Sequence, residues 1–313
     1  MSIDVNYIDQ FVKVTSKAAI AASNLVGKKD KIAADKAAVD SMREELNKLN
    51  ICGKIVIGEG ELDEAPMLYI GEEVGQMNGP NFDIAVDPLE GTNFAANNLP
   101  GALSVMAIAE KNNLFNAPET YMEKIAAKVK VNNVIDLDYT IKKNIYNLSE
   151  YLNKQPSQLT VCILDRSRHK EIINELKIMK VNTKLITDGD VSGALLVTQE
   201  KYNVDLFLGT GGGPEGVLAA AALDAFGCTF QGRFLFKTEE DKRRANQMGI
   251  NDLTKKYELN EIISGDSIFC ATGITSGDLV NGIFIQDSEY LSETFVTHKS
   301  SNTKKIFKLK NKI

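Results

Sequence analysis

Apolar residues recur at helical spacing through residues 3–25, with Val5, Ile8, Val12 and Leu25 set among small alanines, which predicts a first helix. A second helix is predicted from about Asp30 to Asn47, carrying Ile32, Val39, Met42 and Leu46 as its apolar stripe. The missing member of that stripe is Asp35, three residues after Ile32 and four before Val39, so a carboxylate points where the helix should be buried. A lone core carboxylate is costly unless a cation or strong donors neutralise it. The plain alternative is a satisfied core Asp, or a stripe that drifts to the surface.

Short apolar runs then predict strands. Gly53–Gly58 is one, and it empties into Glu59-Gly60-Glu61-Leu62-Asp63-Glu64-Ala65-Pro66, with four carboxylates in six residues. Phe82–Val86 is another, and it delivers Asp87 at its C-terminal edge. Pro88 is expected to fix a turn there, with Glu90, Gly91 and Thr92 following. The region from about Pro118 to Lys154, which contains Tyr121, has helical patterning rich in Lys and Asn. From Leu159 onward strand and helix alternate. Thr160–Leu164, Thr183–Thr187 and Val204–Leu208 read as strands, and His169–Lys180, Val191–Lys201 and Pro214–Phe226 as helices. That rhythm predicts a mostly parallel sheet covered by helices. The tail from Ser264 offers short strands and no long helix, and Lys304–Lys310 alternates Lys with apolar residues as a protected edge strand does. The fold class is α/β (α+β). A soft boundary near residue 156 separates an N-terminal α+β lobe, residues 1–155, from a C-terminal α/β lobe, residues 156–313.

Composition narrows the function classes. At 313 residues and 43% hydrophobic content the chain can bury one large core or two fused lobes. Lys plus Arg number 36 against 42 Asp plus Glu, and the net charge of -6 argues against a nucleic-acid partner. Met1–Val5 lacks the basic-then-apolar pattern of a secretion signal, and the apolar stretch Val217–Leu223 is too short to span a bilayer. No membrane partner and a cytoplasmic location are the expectation. The four cysteines are too scattered for a zinc or redox motif, and Cys162 and Cys228 lie in apolar runs as buried thiols do. Only His169 and His298 are present, both in polar surroundings, so a Ser-His-Asp triad or a histidine-rich metal site is not expected.

The chemistry is therefore left to carboxylates, hydroxyls and backbone. Asp87, Glu90 and Thr92 crowd two carboxylates and a hydroxyl into six residues, an arrangement that suits a hard divalent metal; an acidic turn after a strand is the alternative. The loop at Glu59 repeats the pattern, and ligand sites gather at the carboxyl ends of strands. Asp165-Arg166-Ser167-Arg168 can cradle a phosphate or simply cap a helix. Asp188-Gly189-Asp190 can accept hydrogen bonds from sugar hydroxyls or cap the next helix. Gly211, Gly213 and Gly216 have dinucleotide-loop spacing, but Glu215 would set a negative charge where a pyrophosphate should sit, and no GK[ST] follows. Glu215 instead joins the metal-ligand candidates, with a structural glycine turn as the alternative.

The run Asp87–Thr92 resembles the DPLDGT-type motif of the metal-dependent, lithium-sensitive sugar and inositol phosphatases. Together with Lys31–Asp35, Gly58–Pro66, Asp165–His169, Asp188–Val191 and Gly209–Gly216, it resembles one branch of them, the class II (GlpX-type) fructose-1,6-bisphosphatases. The segments occur in order from about residue 10 to 290. The resemblance implies a layered α/β/α/β/α fold. It implies Asp35, Glu59, Asp87, Glu90 and Glu215 as ligands for Mn2+ or Mg2+, and Thr92 and Asp63 as catalytic groups. Substrate contacts would come from Glu90, Gly91, Thr92, Tyr121, Arg166, Ser167, Arg168, Asp188, Gly189, Asp190 and Gly212. The implied reaction is hydrolysis of the 1-phosphate of fructose 1,6-bisphosphate, with Arg166 and Arg168 on the distal phosphate, in a homodimer or homotetramer. Sedoheptulose 1,7-bisphosphate or an inositol phosphate is the rival substrate, and a non-enzymatic nucleotide-binding module around Gly211 the rival class. Two departures bear on local geometry and metal preference: Lys36 stands where the family pattern has glycine, and Phe94–Asn98 replaces a more apolar stretch.

Overall fold

Both helices predicted from the N-terminal periodicity form, as α1 (Tyr7–Ser23) and α2 (Lys31–Leu46), in a computed structural model that describes residues 2–58 and 68–312. They precede β1 (Cys52–Ile57), β2 (Glu73–Val74), β3 (Asn81–Glu90), α3 (Thr92–Ala96) and β4 (Leu103–Glu110). Next come β5 (Tyr121–Ala127), α4 (Ile141–Tyr151), β6 (Thr160–Leu164), α5 (Lys170–Ile178), β7 (Asn182–Ile186) and α6 (Asp190–Leu195). They are followed by β8 (Leu206–Gly212), α7 (Gly213–Asp224), β9 (Thr229–Leu235), α8 (Glu239–Gln247), β10 (Lys256–Glu258) and α9 (Leu259–Ile262). The chain closes with β11 (Ser267–Gly273), β12 (Phe284–Gln286), β13 (Glu289–His298) and β14 (Thr303–Lys312). It is a mixed α/β protein with two mixed sheets, and it divides into two units, Met1–Asn116 with Ile263–Ile313, and Ala117–Ile262. Among the described residues no helix is long and apolar enough to cross a membrane.

The first unit holds a sheet in the order β12-β13-β11-β4-β3-β1-β2, with β14 on the outer side of β13. Strands after residue 264, expected in the C-terminal lobe, join it instead, because β11 pairs antiparallel with β4 from Ser267↔Ala109 to Gly273↔Leu103. Pairing between strands so far apart in sequence leaves no local trace. α1 lies against this sheet through Phe11, Val12 and Ala18, and the Phe11 ring stacks with Tyr7 and meets Phe82 edge-on. Its buried polar positions are satisfied by the sheet: Thr15 accepts from the Thr272 hydroxyl at 2.8 Å, and Ser16 bonds Ser292 at 2.7 Å. On α2, Val39, Met42 and Leu46 are buried as expected. Ile32 is 82% exposed, however, and Ala34 and Ala38 take its place in the core.

The second unit holds a sheet in the order β10-β9-β5-β8-β6-β7. Only β6 pairs in parallel, with β7 and β8; β5 runs antiparallel to both β8 and β9, and β10 to β9, so the sheet predicted to be mostly parallel is antiparallel in three of its five pairings. Alternate residues sort to two faces. Ile125, Val161 and Leu206 pack with Ile145, Leu148 and Leu176 of α4 and α5. Phe207 and Cys162 instead approach Gly193 of α6, and Met122 approaches Gly216 of α7. The antiparallel pairings bring the N-terminal end of β5 to the same sheet edge as the C-terminal ends of β6, β7, β8 and β9.

Candidate active site

In the first unit the candidate residues cluster where β3 ends. Pairing with β4 keeps register to Asp87↔Val105 and then slips before Glu90↔Leu103. Pro88 has no N–H to give to the ladder and falls inside the slip, so the strand bulges through the position expected to be a turn and ends at Glu90. Glu90 is buried. Gly91 takes φ 79°, and a Cβ there would meet the Phe94 ring at 2.9 Å, so the residue between Glu90 and Thr92 has reason to be glycine. Thr92 opens α3, half-buried.

That short helix is tied to the one bearing Asp35. Gly27 N–H donates to Ala95 O and Lys29 N–H to Ala96 O, both at 2.9 Å. These donors lie just before α2, which Asp30 caps by accepting from Ala33 N–H at 2.9 Å. Asp35, in the second turn of α2, is half-buried, has no ion-pair partner among the described residues, and is held above the usual carboxylate range by burial. Glu59 and Asp63, with the rest of the acidic loop to Pro66, lie outside the described residues.

In the second unit, Tyr121 does not lie in helical surroundings. It begins β5, opposite Gly212 of β8 and Leu235 of β9. Arg166, Ser167 and Arg168 follow β6, Asp188, Gly189 and Asp190 follow β7, and Glu215 stands in the first turn of α7 after β8. The Arg168 Nε donates to Thr210 O at 2.8 Å while its guanidinium lies 5.0 Å from the Tyr121 ring centroid. Arg166 approaches Asp188 at 3.9 Å. His169 is buried rather than set in polar surroundings. Its Nε2 accepts from Thr210 N–H and its Nδ1–H donates to Leu164 O, each at 2.8 Å, which fixes one neutral tautomer and binds the β6 loop to β8. Burial lowers its pKa, in keeping with that role.

A buried cation underlies these loops. Lys124, only 1% exposed, forms an ion pair with Asp190 Oδ2 and donates to Gly212 O at 2.8 Å. Sequence reasoning missed it because 118–154 reads as helical. Read as a strand, Met122, Lys124 and Ala126 fall on one face between apolar neighbours, and that pattern flags a buried lysine. Asp190 Oδ1 is buried without a hydrogen-bond partner among the described residues. A Cβ on Gly211 would overlap the Asp190 carboxylate, and one on Gly212 would overlap that of Glu215. Gly216 lets α7 approach Met122. The glycine spacing thus admits carboxylates and helix-to-sheet packing. Burial pushes the Glu215 carboxyl up, the Lys124 charge opposes this, and Asp190 and Asp188 reinforce it. Replacing Lys124 by methionine leaves Asp190 buried and uncompensated, and is expected to cost about 3–5 kcal/mol of folding stability. Urea unfolding checks this, and an unchanged midpoint would contradict the pairing.

Among the described residues no three His, Cys, Asp or Glu side chains stand together so as to hold a metal ion. The donor chemistry still fits a hard divalent cation. The candidates are all carboxylates, and burial raises the pKa of two of them, Asp35 and Glu215, so a cation beside either would favour its charged form.

Residues 5–311 match the family model described as bacterial fructose-1,6-bisphosphatase, glpX-encoded. A protein of Synechococcus sp. (strain JA-3-3Ab), named D-fructose 1,6-bisphosphatase class 2/sedoheptulose 1,7-bisphosphatase, is 41% identical over 319 residues, covering 94% of this chain and 92% of that protein. A protein of the same name from Prochlorococcus marinus (strain MIT 9301) is 42% identical over 290 residues, covering 88% and 87%. A solved inositol monophosphatase from Anabaena (Nostoc) sp. PCC 7120 aligns over 61% of this chain and 70% of that one, at 10% identity and a TM-score of 0.32, too slight a likeness to assign a fold. Matched across nearly its whole length, the chain belongs to the bacterial, glpX-encoded fructose-1,6-bisphosphatase family and is a class II enzyme of that family.

Proposed function

We propose that this enzyme hydrolyses the 1-phosphate of fructose 1,6-bisphosphate, giving fructose 6-phosphate and inorganic phosphate, with Mn2+ or Mg2+ as cofactor. It would work as a cytoplasmic homodimer or homotetramer. The family match over residues 5–311 carries the reading. It is supported by the crowding of Asp87, Glu90 and Thr92 at the end of β3, and by the gathering of Arg168, Asp190 and Tyr121 at one edge of the second sheet.

In this reading Asp35, Glu59, Asp87, Glu90 and Glu215 hold the cation. When bound, the cation offsets the negative charge of the phosphoryl group and makes the attacking water more acidic. Thr92 orients that water in line with the bond to the sugar oxygen, and Asp63 is the second catalytic group. Gly91 brings backbone close to the reacting phosphate. Asp188 and Asp190 accept from sugar hydroxyls. Arg166, Ser167 and Arg168, with Tyr121 and the Gly189 and Gly212 backbone, grip the phosphate that is kept.

A second reading, that sedoheptulose 1,7-bisphosphate is also a substrate, is favoured by the paired name that the Synechococcus and Prochlorococcus relatives carry. Phosphate release from a panel of sugar bisphosphates and inositol phosphates, with Mn2+ supplied, tests both. Fructose 1,6-bisphosphate is expected to give high kcat/KM, and comparable turnover of the seven-carbon bisphosphate would show two substrates. Faster release from an inositol phosphate than from either bisphosphate would sink the proposal.

A further inference from the structure

Three loops at the rich edge of the second sheet, those after β6, β7 and β8, already carry candidate substrate residues. A fourth loop, after β9, reaches the same edge, since Leu235 pairs with Tyr121 at the far end of the β5–β9 ladder. That loop bears Lys237, whose ammonium lies 4.8 Å from the Tyr121 ring centroid. The ring therefore draws two cations, Arg168 from one loop and Lys237 from another. Among the described residues neither cation stands in an ion pair with a carboxylate. Two unneutralised cations drawn to one half-exposed aromatic ring make a site for an anion with more than one negative charge.

The placement of Lys237 is not left to a floppy loop. Its backbone N–H donates to Asp241 Oδ2 at 3.2 Å, Thr238 N–H donates to the same oxygen at 3.0 Å, and Thr238 Oγ1 accepts from Asp241 N–H at 3.0 Å. This reciprocal cap on α8 fixes the chain on which Lys237 stands.

We propose that Lys237 binds substrate, holding with Arg168 and the Tyr121 ring the phosphate of the sugar bisphosphate that is not hydrolysed. This rests on the function proposed above and adds to it the residue that makes the enzyme prefer a bisphosphate. A dianionic phosphate neutralises both cations, whereas the carboxylates near Gly211 and Gly212 would repel one. Tyr121 then serves as the apolar floor against which the two cations are held in place.

The test uses the full chain with Mn2+, and compares it with its Lys237→Met and Lys237→Arg variants. Lys237 is exposed, so both variants are expected to fold. Fructose 6-phosphate binding, measured by calorimetry, should weaken about tenfold in the Met variant and recover in the Arg variant. In turnover, KM for fructose 1,6-bisphosphate should rise about tenfold with kcat little moved, and the loss on fructose 1-phosphate, which lacks the second phosphate, should be much smaller. Equal affinity for fructose 6-phosphate in wild type and Met variant, no binding by either, or equal kinetic losses on both substrates would overturn the assignment. A wild type that binds fructose 6-phosphate through Lys237 yet releases no phosphate from fructose 1,6-bisphosphate would keep the assignment and overturn the proposed reaction instead.

Discussion

Thr92→Ala is expected to lower kcat by about 10²–10³-fold while changing folding stability by less than about 0.5 kcal/mol. The two effects separate because of where Thr92 stands. It opens a five-residue helix whose preceding residue, Gly91, already takes the left-handed conformation that turns the chain, and the helix is anchored by its C-terminal carbonyls to Gly27 and Lys29. The backbone thus has no need of the hydroxyl. If Thr92 aligns the attacking water, its loss leaves substrate binding in place and removes an interaction made in the transition state, so kcat and kcat/KM should fall together. Steady-state kinetics beside thermal unfolding decide the matter. Turnover near that of wild type would remove Thr92 from the chemistry.

Stripping divalent metal is expected to reduce phosphate release by more than about 10²-fold, with recovery on adding back Mn2+ or Mg2+. A second readout needs no substrate. Asp35 and Glu215 are carboxylates whose burial raises their pKa, so a cation that favours their ionised forms should bind the folded chain and raise its thermal midpoint as its concentration increases. Hydrolysis that survives full chelation would contradict the carboxylate assignments, and a midpoint indifferent to metal would argue against a cation at either group.

Much of this was readable from the sequence, in places where one face of an element is buried and the pattern is local. The strands and helices from Thr160 to Asp224 fall close to their predicted positions, because short β-branched runs are bounded there by Asp and Gly. The helix predicted to Lys201 stops at Leu195 and continues only as short tight turns. Misreadings arise where a residue breaks its local rule for a nonlocal reason. Lys124 interrupts the apolar alternation of β5 because its charge is neutralised by Asp190, sixty-six residues away, and that partner is invisible locally. Ile32 lies on the predicted stripe but in the first turn of α2, where small alanines make the contact. Pairing direction in the second sheet, and the return of β11 to β4, depend on contacts across the whole chain. For the site, the segments around Asp87, Arg166, Asp188 and Glu215 stood out by type and spacing, whereas Lys124 and Lys237 carry no motif and emerge only when strands are set side by side.

The lysine alternation of β14 has a consequence for assembly. Phe307 and Leu309 turn toward the core of the first unit, while Lys308, Lys310 and Lys312 project outward along a strand that, among the described residues, is paired on one side only. Two copies docking border to border along this strand would oppose like charges across every second rung, and the Glu293 and Glu289 partners of Lys308 and Lys310 are already engaged within one copy. Growth of a continuous intermolecular sheet through this border is thereby discouraged.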